Sequence, residues 1–374
     1  MTTVDEFASR FSDEPGYLDF GRIGPLATSV LDEIQVQTEL LARARFGSLA
    51  HLEEQDQRVR DAVSALTGFP SDHVVFQPNA SSGLMHAMFG LTGGVLLSAA
   101  EFPSLTFAAV RASEHLGVVT PLWLETDHGR VTPGQIRDQI TPTTAAVAVS
   151  LVDSRTGYLA DIEGIRQVIG DRLLIVDAIQ GFGVVDAPYE VADVVVSGGQ
   201  KWTRAGWGTG FMALSDRALE QLDPVISGFS ATDVEGTPFD DVPPPSHSAR
   251  AFSISNPDRV AQARFAAALE EIHSVGVADI QADIAERVSR VIDLADEFAL
   301  TVTSSRDESE RAGLVVLEPP TGQLTVLAAS LFNHGITATT RTSSVRLSVH
   351  VSTGQDTLDM LQAALTSFAT ASNY

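Results

Sequence analysis

Between about residue 70 and residue 215, short apolar runs alternate with stretches of helical spacing. Val74-Val75-Phe76 reads as a strand and residues 80–91 as a helix. Val95-Leu96-Leu97 follows, then a helical pattern over 104–116 and an apolar run over 118–124. Further runs lie at 145–151, 173–176, 194–196 and 210–213, with a helix near 161–168. Continuous apolar runs separated by helices predict a largely parallel sheet covered on both faces, an α/β architecture. Residues 226–250 break the pattern with Pro238 and Pro243-Pro244-Pro245 and read as a long surface loop. Helical spacing returns over 257–298. Strand and helix then alternate at 313–317, 324–334, 345–349 and 355–368, as expected of a smaller α/β domain.

Composition narrows the function classes. The 374 residues suggest two or three domains, and 44% hydrophobic with 19% charged residues fits a globular chain. A formal charge of −24 makes nucleic acid and anionic membrane poor partners. With no cysteine, disulfides, thiolate metal sites and cysteine nucleophiles are excluded. The 9 histidines lack ligand spacing, so no metal site is expected. Met1 to Phe7 is acidic and unlike a signal peptide, and no run of ~18 uncharged apolar residues occurs. The expectation is a cytoplasmic protein.

Of the 24 basic residues, 23 are arginine and one, Lys201, is lysine. Arginine copies its charge but cannot become a neutral nucleophilic amine. Lys201 follows the run Val194-Val195-Val196 and the turn Ser197-Gly198-Gly199-Gln200, 24 residues after Asp177. Asp177 itself ends the run Leu173-Leu174-Ile175-Val176, where ligand-binding residues of open parallel sheets sit. Gln200 and Trp202 flank the lysine, so a nucleotide phosphate loop does not fit. Gly206, Gly208 and Gly210 lead into a strand, so a dinucleotide fingerprint fails too.

The Asp177-x-x-Gln180 strand end, the Ser197-to-Lys201 turn and the glycine-rich stretch after it resemble the class V aminotransferase family of pyridoxal phosphate enzymes, fold type I, which includes cysteine desulfurases and kynureninases. The resemblance implies a mainly parallel seven-stranded sheet in a large cofactor domain over 16–255. A small domain would combine 1–15 with 256–374. It implies pyridoxal 5'-phosphate held as a Schiff base by Lys201, its ring nitrogen paired with Asp177 and its phenolic oxygen near Gln180. Ala80, Ser81, Ser197 and Gln200 would contact the phosphate, Phe102 would stack on the ring, and Ser154 would lie beside it. Ser255 and Asn256 resemble a motif that approaches the neighbouring subunit's cofactor in dimeric members. Arg346, in Arg346-Leu347-Ser348, would grip the substrate α-carboxylate, and Arg22 is a candidate for a second acidic group.

The resemblance further implies a homodimer with the site at the subunit interface and a small amino-acid substrate reacting through an external aldimine. An aminotransferase-like activity is expected first, with carbon–sulfur lyase or kynureninase-like hydrolase as alternatives. Cysteine desulfurase chemistry is set aside because no cysteine exists to accept sulfur. A catalytically inactive scaffold that keeps the fold is the alternative from outside enzymology.

Overall fold

The computed structural model describes residues 2–44, 46–127 and 129–372. Its main sheet has seven strands: β1 (Val74–Phe76), β2 (Gly93–Ser98), β3 (Val119–Leu124), β4 (Thr144–Ser150), β5 (Leu173–Asp177), β6 (Val194–Gly198) and β7 (Gly210–Leu214). Their spatial order is β1-β7-β6-β5-β4-β2-β3. β3, β2, β4, β5 and β6 are parallel, and β7 runs antiparallel to both its neighbours. β5 and β6 are buried along their whole length, as continuous apolar runs must be when helices cover both faces. The parallel strands therefore present their carboxyl ends, Ser150, Asp177 and Gly198, along one edge.

A second, antiparallel sheet comprises β8 (Thr301–Val302), β9 (Leu314–Glu318), β10 (Thr339–Thr340) and β11 (Val345–Ser348), in the order β10-β11-β9-β8. Helices Leu324–Asn333 and Gln355–Ser372 pack on each other beside it. The helical stretch read over 257–298 is two helices, Arg259–Val275 and Val277–Glu297, broken at Gly276. Residues 26–69, for which the apolar pattern predicts nothing, hold helices Thr28–Arg43 and Gln55–Thr67, both packed against Arg259–Val275. The stretch from Leu222 to Ser248 carries no helix or strand.

One segment ties the two sheets together. Leu18 donates its N–H to Thr337 O and accepts from Ser348 N, which lays residues 17–19 alongside β11. Five residues later Gly24 donates to Gln200 O at 2.8 Å. Among the described residues no helix is long and apolar enough to cross a membrane.

Candidate active site

Burying a strand to its last residue forces the polar group at its end to find a partner inside the protein. Asp177 closes β5 and is 2% exposed. Its Oδ1 accepts from Ile179 N at 3.1 Å. Burial pushes its carboxyl above the ordinary range, against the pull of that hydrogen bond and of the Lys201 amine.

Lys201 follows β6, the parallel neighbour of β5, and is 7% exposed. Desolvation draws its amine down to about 8, helped by Arg346 and Arg341 and opposed by Asp177 and Asp19. At pH 7 that leaves roughly a tenth of the amine neutral, about 300-fold more than an ordinary lysine. Its Nζ stands 5.4 Å from the ring centroid of Phe102, which is 41% exposed. An amine, a carboxylate and an aromatic face thus meet at the carboxyl edge of the sheet.

Two neighbours hold the lysine turn. The Gln180 amide donates to Gly21 O at 2.8 Å and accepts from Trp202 Nε1 at 2.9 Å. On the other side the 19–25 segment crosses so closely that a Cβ at Gly24 would collide with the Lys201 carbonyl oxygen. Arg204, fully buried, donates its backbone N–H to that oxygen and its Nε to Pro25 O at 2.6 Å. It also pairs with Asp13 and stacks on Phe11.

Helix Ala80–Gly90 starts beside the lysine turn, and its first N–H groups face that turn. A Cβ at Gly198 would lie 2.5 Å from Gln200 Oε1 and 3.4 Å from Ala80 N. Asn79 caps the helix through Ser82 N at 2.9 Å, and Ser81 Oγ bonds Ser104 Oγ at 2.8 Å. Ser197 is buried and its hydroxyl has one long contact, to Gly198 O at 3.4 Å. Exposed amides at a helix start suit a phosphate dianion.

The second sheet contributes a buried arginine to this edge. Arg346 on β11 is 4% exposed. It donates Nη1 to Ser154 O at 3.2 Å and Nη2 to Thr339 Oγ1 at 3.3 Å, with Asp19 Oδ1 3.7 Å away. Its Nε is buried without a partner. Desolvation, with Arg341 adding, lowers the guanidinium to about 10. Ser154 thus meets Arg346 through its carbonyl. Arg22 points outward, 76% exposed, with Asp19 at 3.9 Å. Ser255 and Asn256 are exposed and line a groove of about 580 Å³ with Gln77, Pro78 and Gly208. That groove's walls include neither Lys201, Asp177 nor Phe102.

Four residues at this edge are not among the site candidates that the sequence offers. Asp19 is 2% exposed, accepts from Thr339 Oγ1 at 2.5 Å and faces both Arg346 and Arg22. Arg341, in the turn between β10 and β11, donates Nη2 to the same Ser154 carbonyl at 2.6 Å. Trp202 fixes Gln180. Glu101 accepts from Ser150 N at 3.1 Å and from the Ser150 hydroxyl, and Ser150 stands opposite Asp177 in the β4–β5 register. Burial pushes the Glu101 carboxyl up to about 7, with Asp153 and Asp177 adding. The only available signal for Glu101 was its place before Phe102; Asp19 and Arg341 lie far from the lysine in sequence.

The donor set fits pyridoxal phosphate. It offers one buried amine of lowered basicity, a strand-end carboxylate for a ring nitrogen, an aromatic face and a helix start for the phosphate. The chain belongs to the class-V aminotransferase family, whose pattern it matches over residues 26–371. It is accordingly a pyridoxal-phosphate-dependent enzyme of fold type I. A probable cysteine desulfurase of Methanothermobacter thermautotrophicus is 28% identical over 180 residues, 46% of this chain and 45% of that protein. A probable cysteine desulfurase of Aeropyrum pernix is 31% identical over 182 residues, 45% of this chain and 43% of that protein. The matched stretch therefore spans less than half the length of these relatives. The fold is that of the cystine C–S lyase C-DES, solved with its product cysteine persulfide: TM-score 0.85, 18% identity, covering 94% of this chain and 97% of that one. Cysteine desulfurase from Thermococcus onnurineus NA1 is likewise similar, with TM-score 0.82, 18% identity and 93% of each chain covered.

Proposed function

We propose that the protein cleaves a carbon–sulfur bond in an amino-acid substrate by β-elimination. The observation that carries the chemistry is the buried, weakly basic Lys201 amine, set between Asp177 and Phe102. The choice of elimination ahead of transamination, the first expectation from sequence, is supported by the names of the relatives. A desulfurase relay through a protein persulfide needs a thiol, and this chain has none. The sulfur would then leave on a product and not on the enzyme.

Pyridoxal phosphate, when bound, supplies the electron sink that stabilises negative charge at the substrate's α-carbon. Asp177 would keep the ring nitrogen protonated, Gln180 would face the phenolic oxygen, and Ala80, Ser81, Ser197 and Gln200 would hold the phosphate. Arg346 grips the α-carboxylate through its unpartnered Nε and a neighbouring N–H. Lys201 would take the α-proton on Nζ. The α-hydrogen's electron pair forms the new double bond and the carbon–sulfur bond breaks, its electrons going to sulfur. Addition of water to the remaining fragment gives ammonia and, for a three-carbon substrate, pyruvate. Ser255 and Asn256 are assigned to the site of a second copy in a homodimer.

The test is product analysis with S-substituted cysteines. Equal pyruvate, ammonia and sulfur products without any keto acid, lost in Lys201→Ala, is the expected result. Turnover that requires a keto acid and releases no sulfur would replace elimination by transamination. A cofactor absorption band unchanged by every amino acid would leave only a scaffold.

A further inference from the structure

The substrate side of the site holds more positive charge than an α-carboxylate needs. Arg341 Nη2 and Arg346 Nη1 converge on one acceptor, the Ser154 carbonyl oxygen, at 2.6 and 3.2 Å. Two guanidinium groups drawn to a single neutral oxygen repel each other. Both are held below the ordinary arginine range, by desolvation first and then by neighbouring cations, Arg341 in one case and Arg155 in the other. The nearby carboxylates do not compensate. Asp19 is 3.7 Å from Arg346 and is shared with Arg22 and the Thr339 hydroxyl. Arg341 makes no ion pair among the described residues; Asp153 and Asp19 act on it only from further off. Arg346 Nε is buried and bonded to nothing. All this sits in a chain of net charge −24, so the cationic patch is a local exception. An α-carboxylate satisfies Arg346, whereas the Arg341 side chain has, among the described residues, only the neutral Ser154 carbonyl as a hydrogen-bond partner.

We propose that Arg341 forms, beside Arg346, a second anion subsite, and that the substrate is an amino acid whose side chain ends in a carboxylate or an equivalent oxyanion. This rests on the reading that Arg346 takes the α-carboxylate. Arg341 is then a specificity-determining residue, discriminating acidic from neutral side chains. Its planar fork matches an oxyanion in two places where a lysine would match in one.

Calorimetric binding of succinate and butyrate to the cofactor-loaded protein tests this, since the two acids have equal length and differ by one carboxylate. Succinate should bind about tenfold tighter, the effect of one added charge-assisted pair. Arg341→Gln should bring the ratio of the two affinities close to one, and Arg341→Lys should restore part of it. Equal affinities in the wild type, or a ratio that survives Arg341→Gln, would overturn the subsite. Should Arg341→Gln fail to fold, Arg341→Lys decides: an undiminished ratio there means that the planar fork is not what binds. The two proposals fail separately. Absent sulfur release with intact succinate selectivity sinks the β-elimination reading alone, whereas intact release without selectivity sinks the subsite alone.

Discussion

The role proposed for Lys201 rests on a placement that costs stability. Its amine is protonated in the unfolded chain up to about its ordinary 10.5, while in the folded apoprotein burial holds it at about 8. Between those values the folded state binds fewer protons, so stability falls as pH drops through the window and the full penalty applies below it. Lys201→Met, similar in shape and uncharged, should therefore stabilise the apoprotein at pH 7 by about 1–3 kcal/mol, less than the full shift because water relaxes around the site. Urea unfolding of both proteins would show the gap at pH 7 and its near disappearance above about pH 10.5. Equal midpoints at pH 7 would mean that the amine is solvated. Sequence alone singled out this residue as the sole lysine; its weakened basicity comes first from burial and then from Arg346 and Arg341, some 140 residues further along.

At the scale of elements, what could be read in advance depended on range. The inner strands of the main sheet, β2 and β4 to β7, were legible because each is a short apolar run buried along almost its whole length, a signal contained in five to seven neighbouring residues. Asp177 and Lys201 were legible because each follows directly from such a strand. The 19–25 segment was legible only through the family resemblance that picked out Arg22, not through its own pattern. It has no periodicity, and its importance comes from being threaded between the lysine turn and β11. A Cβ at Gly21 would lie 2.8 Å from Ser348 Oγ and 3.2 Å from Arg346 Cζ, and one at Gly24 would collide with Lys201 O. Helix Thr28–Arg43 also escaped notice, with only Val30 and Gln37 buried along its length. Gly24→Ala should displace the lysine turn, costing about 1–3 kcal/mol by overpacking. It should also slow cofactor capture, read as the visible absorption that grows when pyridoxal phosphate is added. A destabilised variant that captures cofactor at the wild-type rate would show that the segment braces the fold without setting the lysine.

At the scale of the whole molecule, the proposed dimer must reconcile two opposed features. Trp207, Phe229, Phe239 and Ile254 are 73%, 49%, 87% and 53% exposed, and Ile254 lies in the groove that Ser255 and Asn256 line. Apolar surface of this kind favours burial against a second copy. Yet each chain carries a charge of −24, so bringing two together costs repulsion that acts across the whole surface. The two terms respond oppositely to salt. Raising ionic strength from about 10 mM to about 150 mM shortens the screening length from ~30 to ~8 Å and removes most of the long-range repulsion. Burial of apolar side chains is hardly weakened by the same change. The dimer should therefore tighten as salt is added, with sedimentation equilibrium giving a smaller dissociation constant at 150 mM than at 10 mM. Trp207→Ser should weaken association at both concentrations. Dissociation promoted by salt would instead mean an interface held by ion pairs, and the exposed aromatic residues would then need another explanation.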